Sequence, residues 1–449
     1  MQKNDVLSLH CERLGSELEG VCSHEGMAVF VPSALPGEDI RARIVKTQPR
    51  YAFGKLVEVM SPSPDRVLPP CPVYGKCGGC SGQHMRYEAT LQAKRAQVED
   101  CLRRIGGLSV EVPPVLGAQE PWRCRNKTAL PVGGTADRPQ LGFYRRRSHE
   151  IVPIQDCLVA RGALSGVIEA VTAWMRQARV QPYDELTGRG LLRHVVVRTS
   201  RGGQLMVLLV ATDSRLPDVP GLTALLREKA AGFCALHLSV NRSRGNAILG
   251  PASVRLWGEE ALLETLLGLT FEMPPLSFFQ VNPDQTERLY RTAIDFAALA
   301  PEDTVVDAYA GAGTISLCMA RKARQVIGIE IVPQAIEGAR RNARRNAISN
   351  ATFHVAAVEE LLPKLVADGL RPDVIVLDPP RKGVEPAVIE AVLDARPRRV
   401  VYVSCHVPTQ ARDAKQLCEG GYHPLRCQPV DLFCYAGGVE NVLSFERNE

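Results

Sequence analysis

The chain has 449 residues, of which 45% are hydrophobic and 23% charged, and its formal net charge is +5. This length predicts two or three folded units and excludes a peptide hormone or a disulfide mini-protein. No apolar run approaches the roughly 18 residues of a membrane-spanning helix, and the first residues lack the pattern of a secretory signal. We therefore expect a cytoplasmic protein, with no membrane partner, whose 14 cysteines serve some purpose other than a disulfide framework.

Glycines, prolines and apolar runs divide the chain into three parts. Short β-rich runs between glycines in residues 1–62 predict a small barrel, and the proline-rich stretch that follows forms a boundary. Residues 63–265 mix strand and helix patterns, which predicts a central α+β domain. In residues 266–449, apolar runs alternate with segments long enough for crossover helices. This last pattern is typical of a doubly wound parallel sheet of the α/β class.

Two strand ends of this sheet carry the pattern of a nucleoside site. Val305 opens a strand that runs into a Gly-Ala-Gly turn and a helix, and Glu330 closes the next strand 19 residues after Gly311. Such an acid can bind ribose hydroxyls, and a turn without a third glycine suits S-adenosylmethionine (SAM) better than a dinucleotide. Asp378, before two prolines, ends another strand facing the same crevice, although an aspartate there is also a common helix cap.

A thiol ends the following strand. Cys405 precedes a predicted helix near Pro408, and a helix N-terminus favours thiolate. A thiolate beside a methyl donor indicates covalent activation of a carbon that cannot attack unaided, such as C5 of uracil after sulfur adds to C6. Glu440, which opens the last strand, is the predicted base for the C5 proton. The alternatives are an ordinary buried cysteine and a solvated strand end.

These segments together resemble the RumA/TrmA family of SAM-dependent RNA (uracil-5-)-methyltransferases over essentially the whole chain. The matching segments are Phe278-Phe-Gln-Val-Asn, Asp307-Ala-Tyr-Ala-Gly-Ala-Gly, Gly328-Ile-Glu, Leu377-Asp-Pro-Pro-Arg-Lys-Gly, Ser404-Cys with Arg412-Asp413, and Val439-Glu. The resemblance implies a Rossmann-like class I methyltransferase domain with Cys405 as nucleophile and Glu440 as base. It implies that the SAM ligands are Gln280, Tyr309, Glu330 and Asp378.

Three positions depart from the family pattern. His406 stands where the family usually has Asn, Thr314 where Asn is common, and Ala357 where an acidic residue often helps to hold the adenosine. These departures affect details of cofactor contact and the holding of the target base. They leave open a second hypothesis, a redox-sensing RNA-binding protein with a degenerate methylase domain.

A cysteine cluster follows the first boundary. Cys71, Cys77 and Cys80 lie at short spacing, and Cys157 is a distant fourth candidate. From spacing alone, zinc and an iron–sulfur cluster are both open. The resemblance implies a 4Fe-4S cluster on these four cysteines, as in the RumA branch, and hence a central iron–sulfur domain.

Residues 1–62 also resemble the TRAM domain, an oligonucleotide-binding (OB) type of barrel. Because the ribosomal branch of the family has this domain and the cluster, the resemblance implies RNA as partner and 23S ribosomal RNA as substrate. The same chemistry on tRNA, or on two ribosomal sites, is the alternative. We expect a monomer that takes a uridine out of its stack, with aromatic support from Phe279. Basic runs are predicted to contact phosphate at 123–127 and 145–147, and to form a solvated helix face at 340–345.

Overall fold

The computed structural model describes residues 1–448, and its first element is a closed five-stranded barrel. Along each strand, small apolar side chains alternate with exposed ones, so that Val29, Ile40 and Ala52 fill the interior. The predicted N-terminal barrel is confirmed. Its strands, in the order β1-β2-β3-β5-β4, are β1 (Val6–Leu14), β2 (Gly20–His24), β3 (Met27–Val31), β4 (Asp39–Thr47) and β5 (Tyr51–Ser61).

Behind the barrel, an irregular segment carries the first three cysteines of the cluster and leads into helix α1 (Tyr87–Arg104). A seven-stranded sheet follows, in the order β12-β11-β10-β9-β6-β7-β8, and helices α2 (Ser165–Gln177) and α3 (Val219–Lys229) pack on it. Its strands are β6 (Lys127–Gly134), β7 (Pro139–Tyr144), β8 (Ile151–Pro153), β9 (Leu192–Thr199), β10 (Leu205–Ala211), β11 (Phe233–Val240) and β12 (Ser253–Gly258).

A hairpin of β13 (Leu262–Leu266) and β14 (Leu269–Met273) leads to the C-terminal sheet. The strand order there is β17-β16-β15-β18-β19-β21-β20, in which β21 runs antiparallel to both of its neighbours. The doubly wound sheet is therefore confirmed. Its elements are α4 (Pro283–Ala297), β15 (Thr304–Asp307), α5 (Thr314–Ala320), β16 (Gln325–Glu330), α6 (Pro333–Arg345), β17 (Ala351–Val355), α7 (Val358–Ala367), β18 (Val374–Leu377), α8 (Pro386–Ala395), β19 (Arg399–Ser404), α9 (Val407–Glu419), β20 (Tyr422–Val430) and β21 (Glu440–Arg447).

The strand order reverses direction between β15 and β18, because the chain crosses from one half of the sheet to the other there. Ligands of open α/β sheets bind at this point, outside the carboxyl ends of the strands. The strands β15, β16, β18 and β19 are parallel, so their carboxyl ends meet at one edge. The fold thus brings all of the predicted strand-end residues to one crevice.

Helix α1 packs against α9 of the C-terminal sheet, although its sequence lies within the segment 63–265. Its Val98 and Leu102 belong to the same buried cluster as residues of β18 and β19. Helix α1 therefore connects the cysteine segment, residues 62–86, to the side of the C-terminal sheet on which α9 packs.

No helix within residues 1–448 is long and apolar enough to cross a membrane.

Candidate active site

The glycine turn after β15 is shaped by close packing. Gly313 has φ +76°, and a Cβ there would lie 2.9 Å from the Cβ of Ala339, so only glycine suits the position. Before the turn, the Asp307 carboxylate is fully buried and accepts a hydrogen bond from the Ser316 hydroxyl. Burial raises the pKa of Asp307 to about 6. The start of α5 is thereby fixed against the end of β15.

Glu330 lies beside this turn at the end of β16. Its two carboxylate oxygens accept hydrogen bonds from the backbone N–H groups of Gly311 (3.1 Å) and Val332 (2.9 Å). Two backbone donors hold the side chain at the crevice edge, where an acid of this kind meets the ribose of a nucleoside ligand.

Asp378 directly follows β18, and burial together with the charge of Asp307 raises its pKa to about 7. Its loop is held from α9, because Asp413 accepts hydrogen bonds from the Val384 N–H (3.0 Å) and the Tyr402 hydroxyl (2.7 Å). Gly383 has φ +82°, and a Cβ there would lie 2.4 Å from the Asp413 carboxylate. The Asp-Pro-Pro-Arg-Lys-Gly loop therefore depends on Asp413 as much as on its own sequence.

Cys405 and Glu440 stand at the adjoining ends of β19 and β21. The last pair in this antiparallel register is Ser404 with Asn441, so the next residues along each strand are Cys405 and Glu440. Cys405 is half-buried at the crevice, and Glu440 is only 2% exposed. The fold brings the two predicted residues together.

Electrostatics at Cys405 differ from the expectation based on the helix. Helix α9 does begin at Val407, two residues on. Burial and the charge of Glu440 nevertheless raise the pKa of the thiol, while a hydrogen bond with Arg381 opposes that shift. Burial and Glu440 thus favour the thiol form of Cys405, whereas Arg381 favours its thiolate form.

The pKa of Glu440 is raised to about 8, first by burial and then by the charge of Asp378, with Arg381 acting in the opposite direction. Cys405, Glu440, Asp378 and Arg381 therefore form one electrostatically connected group. The role of Arg381 was missed from the sequence, although its place directly after the two prolines was a usable signal.

Gln280 lies in the segment before α4 and is buried. The side chain of Asn126 donates to the Gln280 backbone carbonyl (2.9 Å), and the Asn126 N–H donates to that of Val281 (2.8 Å). Asn126, in a run expected to contact phosphate, is thus buried and positions Gln280. Burial also lowers the pKa of neighbouring Lys127 to about 8.

Two other sequence expectations need correction. Phe279 is 5% exposed and belongs to the core, so it is not available to stack on a base, whereas neighbouring Phe278 is 74% exposed. The basic run on α6 is not simply a solvated face. Two of its arginines, Arg341 and Arg345, form ion pairs with Glu272 on β14 (2.9 and 2.6 Å).

The three departures from the family pattern have identifiable neighbours. Thr314 shares a hydrogen bond with the Tyr290 hydroxyl (2.7 Å). His406 Nδ1 lies 3.1 Å from the hydroxyl of Thr409, which donates to the backbone carbonyl of Arg381. Ala357 precedes α7, and the charge of Glu359 in the first turn adds to burial in raising the pKa of Tyr309. An acid therefore lies near Tyr309 despite Ala357.

The four predicted metal-binding cysteines lie around one cavity of the middle part of the chain. Cys71, Cys77, Cys80 and Cys157 all line one cavity of about 270 Å³, together with Gln83. Within residues 1–448, no three His, Cys, Asp or Glu side chains converge closely enough to hold a single metal ion.

Residues 431–438, which we call the junction loop, connect β20 to Glu440. Lys94 on α1 donates to Asp431 (2.5 Å), and both side chains are fully buried. The N–H groups of Ser81 and Gly82, next to Cys80, donate to the Tyr435 carbonyl (2.8 and 2.9 Å). A Cβ on Gly437 would lie 2.3 Å from the Ser16 carbonyl of the barrel. Barrel, cysteine segment and α1 all contact the loop that leads to Glu440.

The sheet order and the strand-end crevice define a methyltransferase fold. In agreement, residues 299–416 match the family described as a methyltransferase domain, and residues 3–57 match the TRAM domain. The chain is 41% identical to an "Uncharacterized RNA methyltransferase" of Clostridium tetani, with 99% of this chain and 96% of that protein covered. It is 43% identical to one of Halalkalibacterium halodurans, with 99% and 98% covered. The chain therefore belongs to the RumA/TrmA family of RNA methyltransferases.

A solved structure shares the whole architecture. It is that of the Pyrococcus abyssi tRNA (uracil-54, C5)-methyltransferase in complex with S-adenosyl-L-homocysteine, with a TM-score of 0.80 and 28% sequence identity. The likeness covers 98% of this chain and 100% of the Pyrococcus chain. It therefore includes the barrel and the middle sheet as well as the catalytic half.

Proposed function

We propose that this protein transfers the methyl group of SAM to C5 of a uridine in RNA, through a covalent bond between Cys405 Sγ and C6 of the uracil. The observation that carries the proposal is the placement of Cys405 and Glu440 at adjoining strand ends beside the crevice. The uracil-5 activity named for the Pyrococcus neighbour supports the same chemistry.

The crevice residues fit SAM. Glu330, held by two backbone donors, would accept hydrogen bonds from the ribose hydroxyls, and the glycine turn leaves room for the ligand beside the backbone. Tyr309, Gln280 and Asp378 would complete the pocket. When bound, SAM supplies an electrophilic methyl group. Its sulfonium charge would also favour the ionised forms of Asp378 and Glu440, whose pKa values burial raises.

The chain's own residues carry the proton and bond changes at uracil. Cys405 releases its proton to solvent and its sulfur adds to C6, while Arg381 stabilises the thiolate. The electron pair displaced from the C5–C6 double bond makes C5 nucleophilic, and C5 takes the methyl group, which leaves S-adenosyl-L-homocysteine. Ionised Glu440 then removes the C5 proton, the double bond re-forms and the sulfur leaves as thiolate.

For the substrate, we propose 23S ribosomal RNA, on the basis of the TRAM-type barrel and the four-cysteine site. A tRNA is the second candidate, because the Pyrococcus enzyme is named for tRNA and aligns with this chain through the barrel. The presence of the barrel therefore does not distinguish a ribosomal RNA substrate from a tRNA substrate, and the experiment includes both RNAs.

The test is a denaturing-gel shift with 5-fluorouridine-substituted ribosomal RNA and tRNA, with and without SAM. Fluorine at C5 cannot leave as a proton, so the covalent adduct should persist. We expect a SAM-dependent band with wild type and none with Cys405→Ala. Cys418→Ala, which removes a thiol on α9 outside the crevice, is the matched control and should behave as wild type. If the protein binds an RNA but forms a covalent band with neither, the proposal is contradicted. That result would favour the alternative of an RNA-binding protein with a degenerate methylase domain.

We also propose that Cys71, Cys77, Cys80 and Cys157 bind a 4Fe-4S cluster, and the observation that supports this is the one cavity that all four line. Protein purified without oxygen should be brown and contain about four irons per chain. Cys157→Ser should lose the colour and the iron, whereas Cys418→Ser should keep both. A colourless protein with one zinc per chain would refute the cluster.

A further inference from the structure

Three aromatic rings form a patch on the outside of the barrel. Phe30 of β3 pairs in register with Phe53 of β5, and Tyr51 lies two residues before Phe53. Their ring centroids are 5.6 to 5.8 Å apart, while the alternating residues Val29 and Ala52 point into the barrel core. Tyr51 is 39% exposed, so its ring does not contribute to the barrel core. Tyr51 stands edge-on to both phenylalanine rings, which are half-buried, and is the most exposed ring of the three.

An arginine from another part of the chain completes this patch. The guanidinium of Arg147 lies 4.9 Å from the centroid of the Phe53 ring. Arg147 belongs to the turn between β7 and β8 of the middle sheet, and its φ of 58° is in the left-handed region that favours glycine. A non-glycine residue in this backbone conformation costs conformational free energy. We call Phe30, Tyr51, Phe53 and Arg147 the aromatic platform.

The surroundings of the aromatic platform are positively charged. Residues 40–57 contain five Lys or Arg and no Asp or Glu. Lys46 pairs in register with Phe53, and Lys55 follows two residues after it. Within residues 1–448, neither lysine forms an ion pair, and neither do Arg146 and Arg147 of the turn. These cations are free to meet phosphates.

We propose that the aromatic platform binds unpaired bases of the RNA substrate by stacking, with Lys46 and Lys55 at the phosphates. The inference rests on the proposed function for the identity of the RNA. Proteins bind single-stranded nucleic acid with exposed aromatic rings beside unpaired cations. Every base has a face that can stack on a ring, and every phosphodiester carries a negative charge. A planar guanidinium extends the stacking surface, which an ammonium would not do.

The aromatic platform spans two parts of the chain, so it also fixes an orientation for the RNA. The turn that carries Arg147 is attached to the cysteine segment, since the Gly78 N–H donates to the Tyr144 carbonyl (3.0 Å) and Cys77 pairs with Arg145 in a β-bridge. The four-cysteine site therefore supports the part of the platform that comes from the middle sheet.

The experiment is fluorescence anisotropy with a labelled, unstructured RNA 12-mer and with a hairpin of the same length, on the full chain. We expect the double substitution Tyr51→Ala/Phe53→Ala to raise the Kd for the single strand at least about fivefold, because stacking contributes about 1 kcal/mol or more per base. The exchange Tyr51→Phe/Phe53→Tyr keeps both rings and should change the Kd less than about twofold. Val57→Ala, an exposed apolar residue on the same strand, is the matched control.

A Kd unchanged by ring removal would overturn the proposal, as would equal weakening for the single strand and the hairpin. Unchanged RNA binding with loss of a protein partner would assign the patch to protein docking instead. Melting temperatures near that of wild type exclude unfolding. Failure of this proposal can be distinguished from failure of the proposed function. RNA binding is measured without methyl transfer, and the measurement can be repeated in Cys405→Ala. In the active chain, ring removal should raise the KM for RNA and leave kcat and the 5-fluorouridine adduct at saturating RNA unchanged.

Discussion

Cys405 and Glu440 lie side by side because they extend the antiparallel register in which Ser404 pairs with Asn441. Insertion of β21 between β19 and β20 makes this possible, since it brings an acid from the last strand next to a thiol 35 residues earlier in the chain. Strand pairing fixes the separation of the two backbones, and this rigid support suits the nucleophile and base proposed for them.

The first prediction concerns the breakdown of the covalent adduct. Glu440→Gln removes the proposed base but keeps the size of the side chain, so methylation should proceed and elimination should stall. We expect a protein–RNA adduct on unmodified RNA to accumulate, with turnover reduced at least about 100-fold. A denaturing gel with methyl-labelled SAM measures it. Free RNA alone, with methyl transfer retained, would assign the proton to another base.

The second prediction follows from the raised pKa of Glu440. An acid whose pKa is near 8 when folded, against an ordinary value of 4.5, binds more protons in the folded state between these values. Its contribution to stability is therefore present below about pH 4.5 and is lost as the pH rises through 8. Glu440→Gln should be stabilised relative to wild type at pH 8.5 by roughly 2 to 4 kcal/mol more than at pH 5. Urea unfolding at both pH values measures the difference.

The exposed acid Glu337 provides the control for that experiment. Glu337→Gln makes the same chemical change at an exposed position and gives the baseline for the comparison. Equal effects of the two substitutions would mean that the Glu440 carboxylate is already ionised near neutral pH.

The third prediction concerns the loop after β18. Gly383→Ala combines a left-handed backbone with a Cβ against the Asp413 carboxylate, so the loop that carries Asp378 and Arg381 must shift. Gly369→Ala is the control, because φ is +100° there but nothing lies within 4 Å. Both variants should lose about 1 kcal/mol of stability. Only Gly383→Ala should weaken SAM binding, by at least about tenfold in calorimetry. Similar SAM affinities would show that the loop can absorb the shift.

The fourth prediction concerns the ion pair between Lys94 and Asp431. Because both side chains are fully buried, Lys94→Met leaves a buried carboxylate without its cation and should cost about 3 to 5 kcal/mol. The double variant Lys94→Met/Asp431→Asn should recover part of this loss, since the uncompensated charge is gone. Chemical unfolding of the three proteins measures it. A double variant less stable than Lys94→Met would contradict the explanation based on charge.

The sequence predicted those parts of the site that depend on local pattern. Glu330, Asp378 and Cys405 each follow an apolar run, and the carboxyl ends of parallel strands share an edge, so their meeting could be inferred. Contacts across the chain could not. Lys94 and Asp431 lie 337 residues apart, and no periodicity links them. The influences on the pKa of Cys405 were only partly visible: a helix N-terminus can be read from sequence, whereas burial and the neighbouring carboxylates, which raise the pKa, cannot.

The junction loop makes Glu440 dependent on parts of the chain that bind no methyl donor. The crevice residues Glu330 and Asp378 belong to the C-terminal sheet, but the loop before Glu440 is held by Lys94, by the backbone next to Cys80 and by the barrel. Local unfolding of the cysteine segment would therefore loosen the loop before Glu440, while the pairing of β21 with β19 and β20 remains. Damage there should slow the step proposed for Glu440 more than it weakens SAM binding.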